Sequence, residues 1–298
     1  ISSVFMASTG VIGEKLNYKK IITKIPKMSE NLRGGNWNKA ATAITTTDTF
    51  PKGASEAALI GNKKIQITGI AKGSGMIAPD MATMLSFIFT DANIPSNILQ
   101  TLLSRNVQNT FNAITVDSDA STSDTLLLFA TGAAKSVVPT SADDPVLKNF
   151  ESALQSVMLN LAKQIVCDGE GAQKLIQVDV TGATSKKSAH KIGLAIANSP
   201  LVKTAIAGGD ANWGRVVMAV GKSGEKANAN SISVCFGKTT IAEKGAVVEG
   251  YDEAPVTEHL QGREIHLAVD VGLGNGKSTV WTCDLTHGYI EINADYRS

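Results

Sequence analysis

The chain has 298 residues, 43% hydrophobic and 18% charged, with 28 Lys and Arg against 27 Asp and Glu for a net charge of +1. That balance, without a long basic run, argues against nucleic acid or an anionic membrane surface as partner and points to a small molecule. No apolar run reaches the roughly 18 residues that span a bilayer and Ile1-Ser2-Ser3-Val4-Phe5-Met6 carries no secretion signal, so a soluble cytoplasmic protein is expected.

In chain order, a Ser8-Thr9-Gly10 turn precedes a predicted helix over Val11 to Ile25. Ile12, Leu16, Ile21 and Ile22 recur in it, and Pro26 is expected to stop it. Its N-terminus would offer free backbone N–H groups just after Gly10. A second helix is expected over Asn36 to Ala43 and a strand over Lys64 to Ala71, supported by Ile65, Ile67 and Ile70. A glycine-rich loop then leads to a strand over Met84 to Asp91, rich in aromatic and branched residues. Ser96 to Thr110 reads as a helix entered at Pro95, with Ile98, Leu99, Leu102, Leu103 and Val107 on one face. Val116 to Thr125 is a polar Asp/Ser/Thr loop before the apolar run Leu126 to Ala130. A longer helix starts at Asp144-Pro145 and turns Leu147, Phe150, Leu154, Val157, Met158 and Leu159 inward. A strand over Leu175 to Val180, a helix over Ser188 to Ala197 and short strands between Ser231 and Ile292 complete a mixed α/β (α+β) chain.

Cys167, Cys235 and Cys283 are odd in number and far apart, which argues against a disulfide framework or a zinc motif; they read as buried free thiols. The four histidines show no metal-ligand spacing. Gly272-Leu273-Gly274-Asn275-Gly276-Lys277-Ser278 imitates a phosphate loop, but only three residues separate Gly272 from Gly276 and a strand follows, so a β-hairpin turn is expected. Asp117-Ser118-Asp119 lacks the later bidentate Glu of a calcium loop and reads as a structural polar loop.

The chemistry concentrates in Lys72-Gly73-Ser74-Gly75-Met76-Ile77-Ala78-Pro79-Asp80-Met81-Ala82-Thr83-Met84-Leu85, where Thr83 stands between the glycine-rich loop and the strand. Gly69, Gly73, Gly75 and Pro79 give the backbone freedom to bend, as a chain that cuts its own Ala82-Thr83 bond would need. A threonine that becomes a chain start gains an amine of pKa about 8 beside its own hydroxyl, so nucleophile and base sit in one residue.

Blocks along the whole chain resemble the ornithine acetyltransferases, the bifunctional glutamate N-acetyltransferase/ornithine acetyltransferase family. They are Ala7-Ser8-Thr9-Gly10-Val11-Ile12-Gly13, Thr46-Thr47-Asp48-Thr49-Phe50-Pro51-Lys52, the Thr83 motif, Asp168-Gly169-Glu170-Gly171-Ala172, Asn212-Trp213-Gly214-Arg215 and Asn293-Ala294-Asp295-Tyr296. The resemblance implies an N-terminal-nucleophile-like layered α/β/β/α fold and self-cleavage at Ala82-Thr83. Residues 1–82 would form an alpha chain, N-terminally truncated relative to the family, and 83–298 a beta chain starting with the nucleophile. Two of each would assemble as a heterotetramer. It also implies transfer of acetyl from N2-acetylornithine to glutamate through acetyl-Thr83, in arginine biosynthesis, with no metal or organic cofactor and acetyl-CoA left open as a second donor. Thr9 and Gly10 match the oxyanion pair, and Thr46, Lys72, Thr83, Glu170, Asn293 and Ser298 match positions that contact substrate. Lys72 suits a substrate carboxylate and Glu170 the ornithine ammonium. Two alternatives stay open: a self-cleaving amidohydrolase or aminopeptidase on the same scaffold, and an inactive binding-only relative.

Overall fold

Two extended runs meet at Ile60-Gly61-Asn62-Lys63, a two-residue hairpin that starts the first of two sheets in the computed structural model, which describes residues 4–11, 13–32, 34–78 and 84–295. The Ala82-Thr83 bond and Ser298 lie outside the described residues. Helices α1 (Tyr18–Glu30) and α2 (Trp37–Ala43) come first, followed by β1 (Lys52–Ile60), β2 (Lys63–Lys72), β3 (Leu85–Thr90), α3 (Ser96–Val107) and β4 (Thr125–Ala130). The sheet order is β1-β2-β3-β4, antiparallel except for the parallel pair β3 and β4, which α3 connects. β1 has no counterpart in the sequence reading, because Lys-Gly-Ala-Ser-Glu-Ala-Ala-Leu-Ile lacks the branched residues that mark strands; pairing with β2 makes it one.

Helix α4 (Lys148–Cys167) follows a short turn in which Asp144 accepts the Val146 N–H ahead of Pro145. Phe150, Leu154, Val157, Met158, Leu161 and Ile165 are fully buried at helical spacing and lie over β1 and β2. Gly69 allows the close approach: a Cβ there would stand 2.8 Å from Leu161 Cδ1, so this glycine serves packing rather than bending.

The second sheet collects β5 (Leu175–Ala183), β6 (Ser233–Phe236), β7 (Thr239–Glu243), β8 (Ala246–Val247), β9 (Glu264–Asp270) and β10 (Gly276–Cys283) in the order β10-β5-β9-β6-β7-β8. Helix α5 (Lys186–Ala197), capped by Ser185, covers β5 and β10, and α6 (Pro200–Ala207) and α7 (Trp213–Lys222) pack beside it. α8 (Glu253–Gln261) lies between β8 and β9, and α9 (His287–Asp295) follows β10. One hydrophobic core runs through both sheets, and α4 reaches β10 as well as β1 and β2, joining the halves. Among the described residues no helix is long and apolar enough to cross a membrane.

Several expectations are corrected. The first helix begins at Tyr18 and runs through Pro26, so no helix N-terminus lies next to Gly10. Ile22, whose carbonyl loses its helical donor to Pro26, is 58% exposed, and no residue of α1 is buried, so water can take the donor's place. The Gly272 to Gly276 segment is not a hairpin: β9 and β10 flank β5 instead of pairing, and the loop crosses the end of β5 with Leu273 and Gly274 N–H on Gly182 O. The last expected strand is helix α9. Of the three free thiols only Cys283 is buried; Cys167 is exposed at the end of α4 and Cys235 is half-buried.

Candidate functional site

β2 ends at Lys72, whose side chain is drawn into the protein until the residue is 1% exposed. Its ammonium donates to Thr46 Oγ1 at 3.1 Å and forms no ion pair among the described residues. Burial lowers its pKa, and the carboxylates of Asp48 and Asp124 work against that. Behind Lys72, Lys52 is enclosed between two carboxylates, Asp48 at 2.6 Å and Asp168 at 2.5 Å. Asp48 also accepts the N–H of Gly73 at 2.7 Å and of Thr46 at 3.0 Å, while Asp168 accepts the N–H of Thr49. Burial pushes the Asp48 carboxyl up, but the Gly73 N–H, the Lys52 ammonium and the Thr46 N–H together hold it below its ordinary value. The cluster thereby ties the loop before β1, the end of β2 and the end of α4 together.

Glu170 follows that α4 terminus and donates its N–H to Ser74 O at 3.0 Å. Gly75 makes room for it, since a Cβ there would stand 2.5 Å from the Glu170 carboxylate. Asn293, on α9, donates to Glu170 Oε2 at 2.8 Å, and α9 is anchored where Thr286 Oγ1 donates to Gly171 O at 2.6 Å. Tyr289 of the same helix donates to Asp117 at 3.4 Å; burial and the charges of Asp117, Asp119 and Glu170 push its hydroxyl up to about 12.

At the other end of the chain, Phe5 packs edge-on to Phe129 of β4 with ring centroids 5.4 Å apart, which pins the N-terminal segment on the first sheet. Thr9 and Gly10 then line the same cleft as Thr46, Lys72, Glu170 and Asn293, a cavity of ≈ 210 Å³. Six predicted positions from five separate segments thus share one surface; Ala82, Thr83 and Ser298 lie outside the described residues. Ser121, Thr122 and Ser123 also line it, although the sequence reading left that loop structural. The run of hydroxyl residues just ahead of β4 is the available signal. A buried cation, a half-buried carboxylate and several hydroxyls in one cleft suit a ligand carrying both charges, such as an amino acid.

The family description "ArgJ family" matches residues 1–298. The arginine biosynthesis bifunctional protein ArgJ of Gluconobacter oxydans is 59% identical over 295 residues, which are 99% of this chain and 70% of that protein. The protein of the same name from Bartonella quintana is 55% identical, over 100% of this chain and 73% of its own length. The crystal structure of the arginine biosynthesis bifunctional protein argJ from Bacillus halodurans superposes with a TM-score of 0.67 at 42% identity, covering 69% of this chain and 96% of that one.

Proposed function

The chain belongs to the ArgJ family, an acyltransferase family of arginine biosynthesis with an N-terminal-nucleophile-type fold, and from that premise we propose that it moves acetyl from N2-acetylornithine to glutamate. Thr83 is the nucleophile, freed by scission of Ala82-Thr83 into residues 1–82 and 83–298, with two copies of each piece assembling in the cytoplasm. The observation that carries the reading is the single cleft that gathers Thr9, Gly10, Thr46, Lys72, Glu170 and Asn293.

In this reading the Thr83 hydroxyl attacks the acetyl carbonyl and its α-amine takes the proton. The Thr9 hydroxyl and the Gly10 N–H steady the oxyanion; losing one such donor costs about 100-fold or more in rate. Ornithine leaves with the proton, and the amine of glutamate then attacks acetyl-Thr83, restoring the free hydroxyl. Lys72 receives the α-carboxylate of each amino acid and Glu170, oriented by Asn293, receives the ornithine ammonium. Ser298 matches a position that contacts substrate in the family. Acetyl-CoA is a candidate second donor, and no metal or organic cofactor enters the transfer.

Protein incubated with N2-acetylornithine and glutamate should release ornithine and acetylglutamate in equal amounts, followed by mass spectrometry of the mixture. Free acetate without acetylglutamate would transfer the assignment to a hydrolase. Gly75→Ala drives a methyl group into the Glu170 carboxylate. Its KM for N2-acetylornithine is expected to rise about tenfold, the loss of one charge-assisted contact, with kcat less affected. An unchanged KM would remove Glu170 from donor binding.

A further inference from the structure

The polar loop 115–125 grips the chain on both sides of the segment that carries Thr83. On the upstream side Asp117 Oδ2 accepts the Met76 N–H at 2.7 Å and Oδ1 the Ile77 N–H at 3.0 Å. Val116 N–H adds a bond to Ile77 O at 2.8 Å. Met76 is held with φ 54°, the left-handed region that a side chain other than glycine's seldom adopts, so these bonds maintain a backbone turn that is otherwise unfavourable. On the downstream side Asp124 Oδ1 accepts the Met84 N–H at 2.6 Å and Thr125 N–H donates to Met84 O at 3.0 Å, where β4 enters its parallel register beside β3. The loop itself is moored from the second half of the chain, because the buried Lys203 ammonium donates to Val116 O.

We propose that Asp117 and Asp124 are positioning residues for self-cleavage: a pair of carboxylates on one loop that holds Met76-Ile77 and Met84, the described residues on either side of the proposed Ala82-Thr83 scission. The inference rests on the proposed scission at that bond. Each carboxylate acts through backbone N–H groups and touches no substrate. An intramolecular attack is faster when the chain on both flanks is held in place, so releasing either anchor should slow it. Asp124 is also sensitive to protons: burial raises its pKa to about 7, with the Met84 N–H and the facing Lys72 ammonium opposing the rise. Its ionised form, the better acceptor, prevails above that value, so scission should slow as pH falls through neutrality.

The test follows scission of freshly purified full chain by intact mass across a pH series, with thermal melting to verify folding. Asp124→Ala, which removes the acceptor, is expected to slow scission about 10- to 100-fold. Asp124→Asn keeps a neutral acceptor and should restore much of that rate but lose the inflection near neutral pH. Asp117→Asn, left with one acceptor for two N–H donors, should fall between. Wild-type rate in a folded Asp124→Ala protein, or an unchanged pH profile in Asp124→Asn, would overturn the clamp while leaving scission intact. If Asp124→Ala fails to fold, the Asp124→Asn profile decides alone. A wild-type chain that never yields a product starting at Thr83 would instead overturn the reading on which the clamp rests.

Discussion

Thr83→Ala should leave the protein as one 31.2 kDa chain with acetyl transfer reduced on the order of 10⁴-fold or more. The alanine has no hydroxyl to attack the bond before it and none to accept an acetyl group, so one substitution removes both events. The wild-type protein should instead appear as two chains divided at Ala82-Thr83, the second gaining an acetyl group when incubated with the donor alone. Thr83→Ser keeps the hydroxyl and the chain-start amine and should retain some of each activity. Mass spectrometry after donor incubation reads scission and adduct together. Transfer that survives in Thr83→Ala would overturn the mechanism.

Lys52→Met is expected to destabilise the protein by about 3–5 kcal/mol, because it strands two buried carboxylates that now share one ammonium. A methionine fills much of the lysine's volume, so the loss is electrostatic more than one of packing. The melting temperature should fall by roughly 10 °C. Replacing the whole cluster, with Asp48→Asn and Asp168→Asn added, should recover part of the loss, since neutral side chains carry a smaller desolvation penalty.

The pH dependence of that loss has a definite sign. Asp48 has a lowered folded pKa, so in the wild type its contribution is complete above the unfolded value of about 3.9 and is lost as pH falls through the folded one. Without Lys52 the buried Asp48 carboxyl loses a group that holds its pKa down while burial still pushes it up, so the variant's deficit should shrink as pH falls from about 7 to 4. Thermal melts at both values test this. A melting temperature within about 2 °C of wild type at neutral pH would show that Lys52 does not hold the cluster.

Elements whose apolar residues repeat with the period of their own backbone were legible in the sequence. α3 and α5 were placed nearly to their ends, as were β2 and β3, and α4 by its start and inward face, because burial selects the side chains of one face and leaves a periodic trace. α1 misled for the same reason. It has the amphipathic pattern, yet Ile21, Ile22, Ile25 and Met28 are all exposed, since the pattern reports an apolar face and not what covers it.

The motif blocks settled by themselves the family and the positions worth testing: Thr9, Gly10, Thr46, Lys72, Thr83, Glu170, Asn293 and Ser298. Only the tertiary structure decided that a segment pinned by Phe5, a lysine at the end of β2, a turn after α4 and the last helix meet in one cleft. It alone disclosed the Asp48–Lys52–Asp168 cluster, the hydroxyl loop at 121–123 and the grip of Asp117 and Asp124. The reason is one of range. Periodicity is written among residues a few positions apart, whereas Lys52 and Asp168 are separated by 116 positions and Glu170 and Asn293 by 123, and a pairing across such distances leaves no local mark in the sequence.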